Sequence, residues 1–227
     1  MRLVVTDTTW AVHACADADL GDERRTTRLG ERASAFGQHP TAALPEACGT
    51  GSMRKAAYRF FDNDGLAPQD SLQSHVEATY TRLGAVPGVL AVQDTTEVNW
   101  TRHPATPGLG PVGHTACHGR LVHTTLAITP ARVPLGLLAQ QVWARDPADR
   151  GKRARRTQLP LSQKERQQWL PSLDAVYPAP DCWPTTRLVR VGDREADVSD
   201  VWAAPRPAGV ALRMRAAWDR GVQGAAR

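Results

Sequence analysis

The chain has 227 residues, of which 41% are hydrophobic, and this is enough for one sizeable core and a small flanking domain. Its formal net charge of +5 favours polyanionic partners, although many unrelated basic proteins share this balance. The sequence contains neither a signal-type apolar core nor a membrane-length apolar run, which predicts a cytoplasmic protein without a membrane partner. Its four cysteines form no C-x-x-C pair, so disulfides and a structural metal are not expected.

The first 85 residues are predicted to form a small all-helical domain. Asp22 can cap a helix over 23–36, whose apolar positions repeat at helical spacing. The apolar face carries Leu29, Ala33 and Phe36. The adjacent face carries Arg25, Arg28 and Arg32. Two more helices are predicted over 53–61 and from residue 68, and they complete a helical unit with an apolar seam beside a basic stripe.

Residues 86–227 have the pattern of a mixed α/β sheet. Short apolar runs predict strands at 89–92, 121–128, 133–143, 188–191 and 209–215. The short connection at 129–132 suits a hairpin, so the first three strands are expected to be sequential and antiparallel. Helices are predicted over 162–176 and from residue 197. The fold class is therefore α/β, preceded by an all-helical domain.

Two acids follow predicted strands: Asp94 comes after the first and Asp193 after the fourth. Strand ends at the carboxyl edge of an α/β sheet collect functional side chains, so the two carboxylates could converge on a metal. Carboxylate oxygens suit Mg²⁺ or Mn²⁺ better than zinc. An aspartate after a strand is also a common turn former or helix cap, and the spacing of the two residues does not decide between these interpretations.

The sequence around the acids is more informative. The segments G-D-R-E-A-D at 192–197 and Q-D-T-T at 93–96 closely resemble the two aspartate motifs of the insertion-sequence DDE transposases typified by the Tn-five transposase. That family has a ribonuclease-H-like catalytic core. The segment at 20–29 is similar to its N-terminal DNA-binding helix, and A-Y-R-F at 57–60 is similar to its next helix. With smaller matches between them, the resemblance extends from about residue 10 to residue 215.

The resemblance implies roles for particular residues. Asp94 and Asp193 would be the first two ligands of catalytic Mg²⁺ (or Mn²⁺), and Arg24, Arg25 and Arg28 would contact transposon-end DNA. Arg32, on the same basic stripe, is a further candidate DNA-binding residue. The family's third acid, a glutamate in a Y-x-x-R-x-x-x-E pattern, has no counterpart in these 227 residues. We therefore expect a partial ribonuclease-H-like core over 86–227, truncated before the third acid and inactive alone, with Glu195 and Asp197 in structural or supporting roles.

Three other clusters admit more than one interpretation. A basic run at 150–156 is either a phosphate-contacting segment or a solvated loop. Its candidate DNA-binding residues are Lys152, Arg153, Arg155 and Arg156. A second cluster, His103, His114, His118 and His123 with Cys117, matches no metal motif, and exposed histidines are expected. The tryptophans at 143, 169, 183, 202 and 218 are expected to be core or interface anchors.

The leading hypothesis is a cut-and-paste DNA transposase whose complete form works as a homodimer on transposon ends and target DNA. The second is a catalytically dead protein that occupies transposon ends and inhibits a full-length relative. The third is an unrelated metal-dependent hydrolase or a non-functional gene product. The first two predict a nucleoid-associated cytoplasmic protein. The feature that distinguishes the second is the arginine stripe of the 23–36 helix, which is present although the third acid is not.

Overall fold

The computed structural model describes residues 9–113, 116–149, 169, 171–174, 183 and 185–219. The chain divides into two compact units, Met1–Thr81 and Arg82–Arg227. Among the helices in the described ranges, none combines the length and apolar character needed to cross a membrane.

The first unit is helical. Its helices are α1 (Thr9–Cys15), α2 (Glu23–Gln38), α3 (Leu44–Ala47), α4 (Gly51–Phe61) and α5 (Pro68–Gly84), the last of which continues into the second unit. Asp22 caps α2 by accepting a hydrogen bond from the backbone N of Arg24 at 2.8 Å, as its sequence position predicts. The core of the unit joins Ala18, Leu20 and Phe60, against which Leu29 packs. The three helices expected from the sequence are confirmed, whereas the short α1 and α3 were not predicted.

The described residues of the second unit form a six-stranded mixed sheet. Its strands are β1 (Gly88–Asn99), β2 (Gly110–Pro111), β3 (His118–Ile128), β4 (Pro134–Trp143), β5 (Arg187–Gly192) and β6 (Val210–Met214). The order is β2-β3-β1-β5-β6, and β4 also pairs with β3. Strand β3 is antiparallel to both of its neighbours β1 and β4, while β5 runs parallel to both β1 and β6. The predicted hairpin between β3 and β4 is confirmed.

One face of the sheet packs on short helical segments. These are α6 (Pro171–Asp174), a 3-10 turn (Arg194–Ala196) and α7 (Ser199–Ala203). They contribute to a buried apolar cluster formed by Trp169, Leu173, Ala196, Val198 and Val201. Most of the helix predicted at 162–176 lies outside the described residues. The helix expected from residue 197 begins two residues later, at Ser199.

The first strand is longer than its sequence pattern indicates. The polar residues Gln93 and Asp94 were interpreted as its end, but β1 continues to Asn99 because its antiparallel pairing with β3 extends as far as Asn99 opposite Gly119. What ends at Gln93 is the parallel pairing with β5. The β-branched residues Thr95, Thr96 and Val98 favour the extended conformation beyond that point. Asp94 therefore lies within β1, directly after the point where the neighbouring strand β5 ends.

Candidate functional site

Asp94 and Asp193 occupy equivalent positions on neighbouring parallel strands. The last paired residues of β1 and β5 are Gln93 and Gly192, so each acid is the next residue along its strand. The backbone at Asp193 remains extended, with φ −82° and ψ −161°. Neighbouring strands lie about 4.8 Å apart, and residues in register direct their side chains to the same face. The fold thus places two aspartates that are 99 positions apart in sequence directly after paired residues of neighbouring strands.

Both acids lie on the face of the sheet opposite to the buried apolar cluster. Along β1, Val89, Ala91 and Gln93 are buried, whereas Asp94 is exposed. Along β5, burial alternates in the same way up to Gly192, and Asp193 is exposed. This exposed carboxylate pair, Asp94 and Asp193, is accessible to a cation or a polyanionic substrate.

The local turn after β5 explains part of the G-D-R-E-A-D motif. The Oδ1 atom of Asp193 accepts a hydrogen bond from the backbone N of Glu195 at 2.9 Å, so this side chain caps the 3-10 turn. A Cβ atom on Gly192 would lie 2.5 Å from Cβ of Ala196, too close for any other residue without a shift of the turn. Glycine is required here because the turn folds back closely onto the strand.

The second aspartate of that motif has a different environment. Asp197 is 1% exposed and accepts hydrogen bonds from Nε1 of Trp202 at 2.9 Å and from the backbone N of Ala217 at 2.7 Å. The backbone N of Trp218 also donates to it, at 3.3 Å. Asp197 therefore links α7 to the segment that follows β6, which agrees with the structural role expected for it.

The donor set of the exposed carboxylate pair fits a hard divalent cation bound through few protein ligands. Among the described residues, no group of three or more histidine, cysteine or acidic side chains could hold a metal. Mg²⁺ is commonly held by one or two carboxylates, with water and substrate phosphate oxygens as its other ligands. Two adjacent aspartates meet that requirement, and their oxygens favour magnesium or manganese over zinc.

The arginines of α2 differ in their exposure. Arg24 and Arg28 are exposed and lie four residues apart on one side of the helix. Arg25 is half-buried, and its Nη1 donates to the backbone O of Leu20 at 3.0 Å. Arg32, which the helical stripe placed with the others, is 3% exposed. The basic stripe is therefore shorter than the sequence indicates, and Arg24 and Arg28 are its accessible members.

A second basic helix was missed by the sequence reasoning. In α4 the cations Arg54, Lys55 and Arg59 are exposed, and Tyr58 between them is 53% exposed. The helix has no acidic residue, and only Ala57 and Phe60 are buried in it. The signal that would have found it is the absence of any acid between residues 51 and 61.

Part of this helical region is similar to a known family. Residues 7–66 match the family model described as Transposase DNA-binding. The match supports a transposase family. It spans α1 to α4, including the arginines of α2 and α4, and it supports DNA as a partner.

Within the transposase DNA-binding region, Arg32 has an unusual position for a phosphate-binding residue. Its Nε and Nη1 atoms have no hydrogen-bond partner in the part of the chain that the structure describes. Its closest described acid is the adjacent Glu31, with Nη1 and Oε2 3.5 Å apart. A buried guanidinium with so few partners is costly in free energy.

We expect Arg32→Met to leave the free energy of unfolding unchanged or to raise it, because methionine fills a similar space without a buried charge. We also expect the salt dependence of DNA binding to remain that of the parent protein. Thermal unfolding and fluorescence anisotropy with duplex DNA measure the two quantities. A loss of DNA affinity in a variant of unchanged stability would show instead that Arg32 contacts DNA.

The structure describes the tryptophans and part of the histidine cluster, but not the basic run at 150–156. The basic residues Lys152, Arg153, Arg155 and Arg156 lie outside the described residues, as does His114.

His103 is exposed as expected, but His123 is not, since it is 1% exposed. The expectation of exposed histidines is wrong for His123 because it alternates inward with the other buried residues of β3. Of the tryptophans, Trp169 is buried, Trp143 and Trp183 are half-buried, and Trp202 and Trp218 are 40% and 61% exposed.

His123 lies on β3 opposite Thr95 of β1, with its side chain on the buried face of the sheet. Its Nδ1 is 2.9 Å from Oγ1 of Thr95, and its ring contacts Trp169 edge to face with centroids 4.4 Å apart. Burial lowers the pKa of His123 and outweighs the opposing influence of Asp94, while Arg190 lowers the pKa further. His123 is therefore neutral in the folded protein near neutral pH.

This lowered pKa makes the second unit sensitive to acid. Below about pH 6.5 the unfolded chain binds a proton at this histidine and the folded chain does not, so stability falls as the pH decreases toward the folded-state pKa. The loss approaches about 1.4 kcal/mol per pH unit for one proton. We expect His123→Gln to reduce the pH dependence of urea unfolding between neutral pH and about pH 5.5. His103→Gln, at an exposed position, should not reduce it.

Proposed function

We propose that this protein is a DDE-type DNA transposase with a ribonuclease-H-like core, and that Asp94 and Asp193 are its metal-binding catalytic residues. The observation that carries the proposal is the register of β1 and β5, in which the two acids follow the last paired residues side by side. The transposase DNA-binding match at residues 7–66 supports the same conclusion independently of the acids. A mixed sheet whose antiparallel strands precede its parallel ones supports the core assignment.

In the proposed activity the helical region binds a transposon end and the sheet carries the chemistry. Arg24 and Arg28 contact phosphates of the end DNA, and Asp94 and Asp193 provide carboxylate oxygens to magnesium or manganese. A divalent cation held by these two carboxylates would supply activation of the attacking hydroxyl and charge stabilisation of the leaving oxygen. In strand cleavage, the oxygen of water bonds to phosphorus as the bond to the 3′-oxygen breaks, which frees a 3′-hydroxyl for transfer to target DNA.

The resembled family uses a third carboxylate, which these 227 residues do not supply in the expected pattern. We therefore propose that the 227 residues alone bind transposon ends but cleave them poorly. The complete activity would involve a dimer on two ends, acting at the bacterial nucleoid. Strong magnesium-dependent cleavage by the purified chain that disappears in Asp94→Ala would contradict this part of the proposal.

The second candidate function is that of a catalytically dead transposon-end binding protein, or inhibitor. It is favoured by the exposure of Arg24 and Arg28 in a unit separate from the one that carries the acids. DNA binding by those arginines requires no metal.

Metal binding distinguishes these two functions. We expect the purified protein to bind Mn²⁺, as measured by electron paramagnetic resonance of the free ion, and both Asp94→Asn and Asp193→Asn to weaken that binding at least tenfold, since each removes one of two charged ligands. Asp200→Asn is a matched control, because Asp200 lies on α7 and takes no part in the exposed carboxylate pair. If all four proteins bind DNA but none binds Mn²⁺, the end-binding function replaces the transposase proposal.

A further inference from the structure

A layer of buried polar side chains lies directly beneath the exposed carboxylate pair. It consists of Gln93, Thr125, Ser172 and Arg190, each of which is at most 2% exposed, and we call it the buried polar layer. Gln93 precedes Asp94 on β1, so its side chain points to the opposite face of the sheet. Arg190 is on β5, three residues before Asp193, and also points to the buried face.

Gln93 is the centre of the buried polar layer. Its Oε1 accepts a hydrogen bond from Nη2 of Arg190 at 2.7 Å. Its Nε2 donates to Oγ of Ser172 at 2.8 Å and to Oγ1 of Thr125 at 3.1 Å. Since a guanidinium only donates, the orientation of the Gln93 amide is fixed by chemistry. One side chain thereby links β1 to β3, β5 and α6.

Thr95, the other neighbour of Asp94, is held as well. Its Oγ1 is hydrogen-bonded to Nδ1 of His123 on β3 at 2.9 Å. The side chains immediately before and after Asp94 are thus both bonded on the buried face of the sheet, and this fixes the rotation of β1 at the acid. On the neighbouring strand, the bond from Arg190 to Gln93 holds β5 against β1 just before Asp193.

A cation and three polar groups in the interior of a sheet are not the most stable way to fill that space. Well-packed apolar residues of similar volume are often equally stable or more stable than buried charged networks. A network in which each bond requires one geometry does, however, specify that geometry strongly. The composition of the buried polar layer therefore favours a role in alignment over a role in stability.

We infer that Gln93 and Arg190 are positioning residues that hold Asp94 and Asp193 at the separation needed to bind one divalent cation. The inference rests on the proposed function, since it assigns a purpose to the buried polar layer only if the acid pair binds metal. Loss of the groups that orient metal ligands typically weakens metal binding about 10–100-fold.

The test is a Mn²⁺ titration of the full chain by electron paramagnetic resonance, with the spectrum of the bound ion as a second readout. Gln93→Leu and Arg190→Met should each weaken Mn²⁺ binding by about tenfold or more and broaden the bound-ion signal, because the two carboxylates are no longer held in one arrangement. Gln93→Glu should restore most of the affinity, since its carboxylate still accepts from Arg190 and Thr125 can donate to it. A residue with only a structural role would not produce the changed spectrum.

Thr186→Val is the matched control for lost stability. Thr186 precedes β5 at the end away from Asp193 and donates to the backbone O of Val86 at 2.8 Å, so its loss destabilises the start of β5 without altering the buried polar layer. Its Mn²⁺ affinity should equal that of the parent protein. If Gln93→Leu or Arg190→Met fails to fold, the milder Ser172→Ala, which removes one bond to Gln93, should still weaken Mn²⁺ binding.

Asp94→Asn distinguishes a failure of the proposed function from a failure of the positioning role. If this variant binds Mn²⁺ as tightly as the parent protein, the acid pair is not a metal site, and both the proposed function and the inference fail. If it loses Mn²⁺ while folded variants of the buried polar layer keep the parent affinity and spectrum, the proposed function stands and the positioning role is rejected.

Discussion

Replacing both Arg24 and Arg28 with alanine is expected to weaken binding to transposon-end DNA by about 100-fold at low salt. Both side chains are exposed on the same side of α2, within the region that matches a transposase DNA-binding family. Each phosphate contact contributes about 0.9 to the slope of log affinity against log salt concentration, so the slope should fall by about 1.8. Fluorescence anisotropy with labelled duplexes over a series of salt concentrations measures both quantities.

The control for this experiment removes the same charge elsewhere. Arg102 and Arg206 are exposed arginines of the second unit, and their double alanine variant lowers the net charge by the same amount. We expect a much smaller change in affinity and slope, because a general effect of net charge is weak compared with two direct phosphate contacts. Equal losses in the two double variants would reject the assignment of the α2 arginines.

The parts of the fold that the sequence predicted well are those determined by local patterns. Helix α2 begins where Asp22 can cap it, and the apolar spacing of Leu29 and Phe36 is visible without any partner. The hairpin of β3 and β4 follows from two long apolar runs joined by a short polar connection. Such features depend on neighbouring residues, so one sequence contains most of the information needed.

The parts that were missed depend on residues far away in the chain. Strand β1 continues past Asp94 because β3 remains paired with it, and β3 begins about 20 residues later. The burial of Arg32 follows from the packing of the first unit and not from helical periodicity, which placed it beside exposed arginines. His123 was grouped with exposed histidines although it lies in the strand predicted at 121–128, because which face of that strand is buried depends on its partners.

For the candidate site, the strand pattern and the resemblance predicted two acids at strand ends that converge, but not which strands are neighbours. Their adjacency requires the parallel pairing of β1 with β5, a contact between strands that are nearly a hundred residues apart. The side chains beneath them were not singled out either. A glutamine before an aspartate and an arginine within an apolar strand have no distinctive spacing, and their common role becomes apparent only from the bond between Arg190 and Gln93.

Asp197→Ala is expected to lower the free energy of unfolding of the second unit by about 2–4 kcal/mol. The carboxylate is buried and accepts three hydrogen bonds, two of them from the backbone of the segment after β6. Its removal leaves those donors without an acceptor, although exposure of Trp202 and Trp218 lets water replace part of the loss. Urea denaturation followed by tryptophan fluorescence measures the change.

Asp197→Asn tests whether the carboxylate charge of Asp197 is needed, and Asp200→Ala is the control at a neighbouring acid. Asp197→Asn should also be destabilising, because its amide NH₂ would face N–H donors that now meet a carboxylate oxygen. Asp200→Ala, which removes an acid from the first turn of α7, should cost well under about 1 kcal/mol. If Asp197→Ala retains full stability but loses Mn²⁺ binding, then Asp197 supports the metal site directly, and the division of the G-D-R-E-A-D motif into one exposed functional aspartate and one buried structural aspartate is wrong.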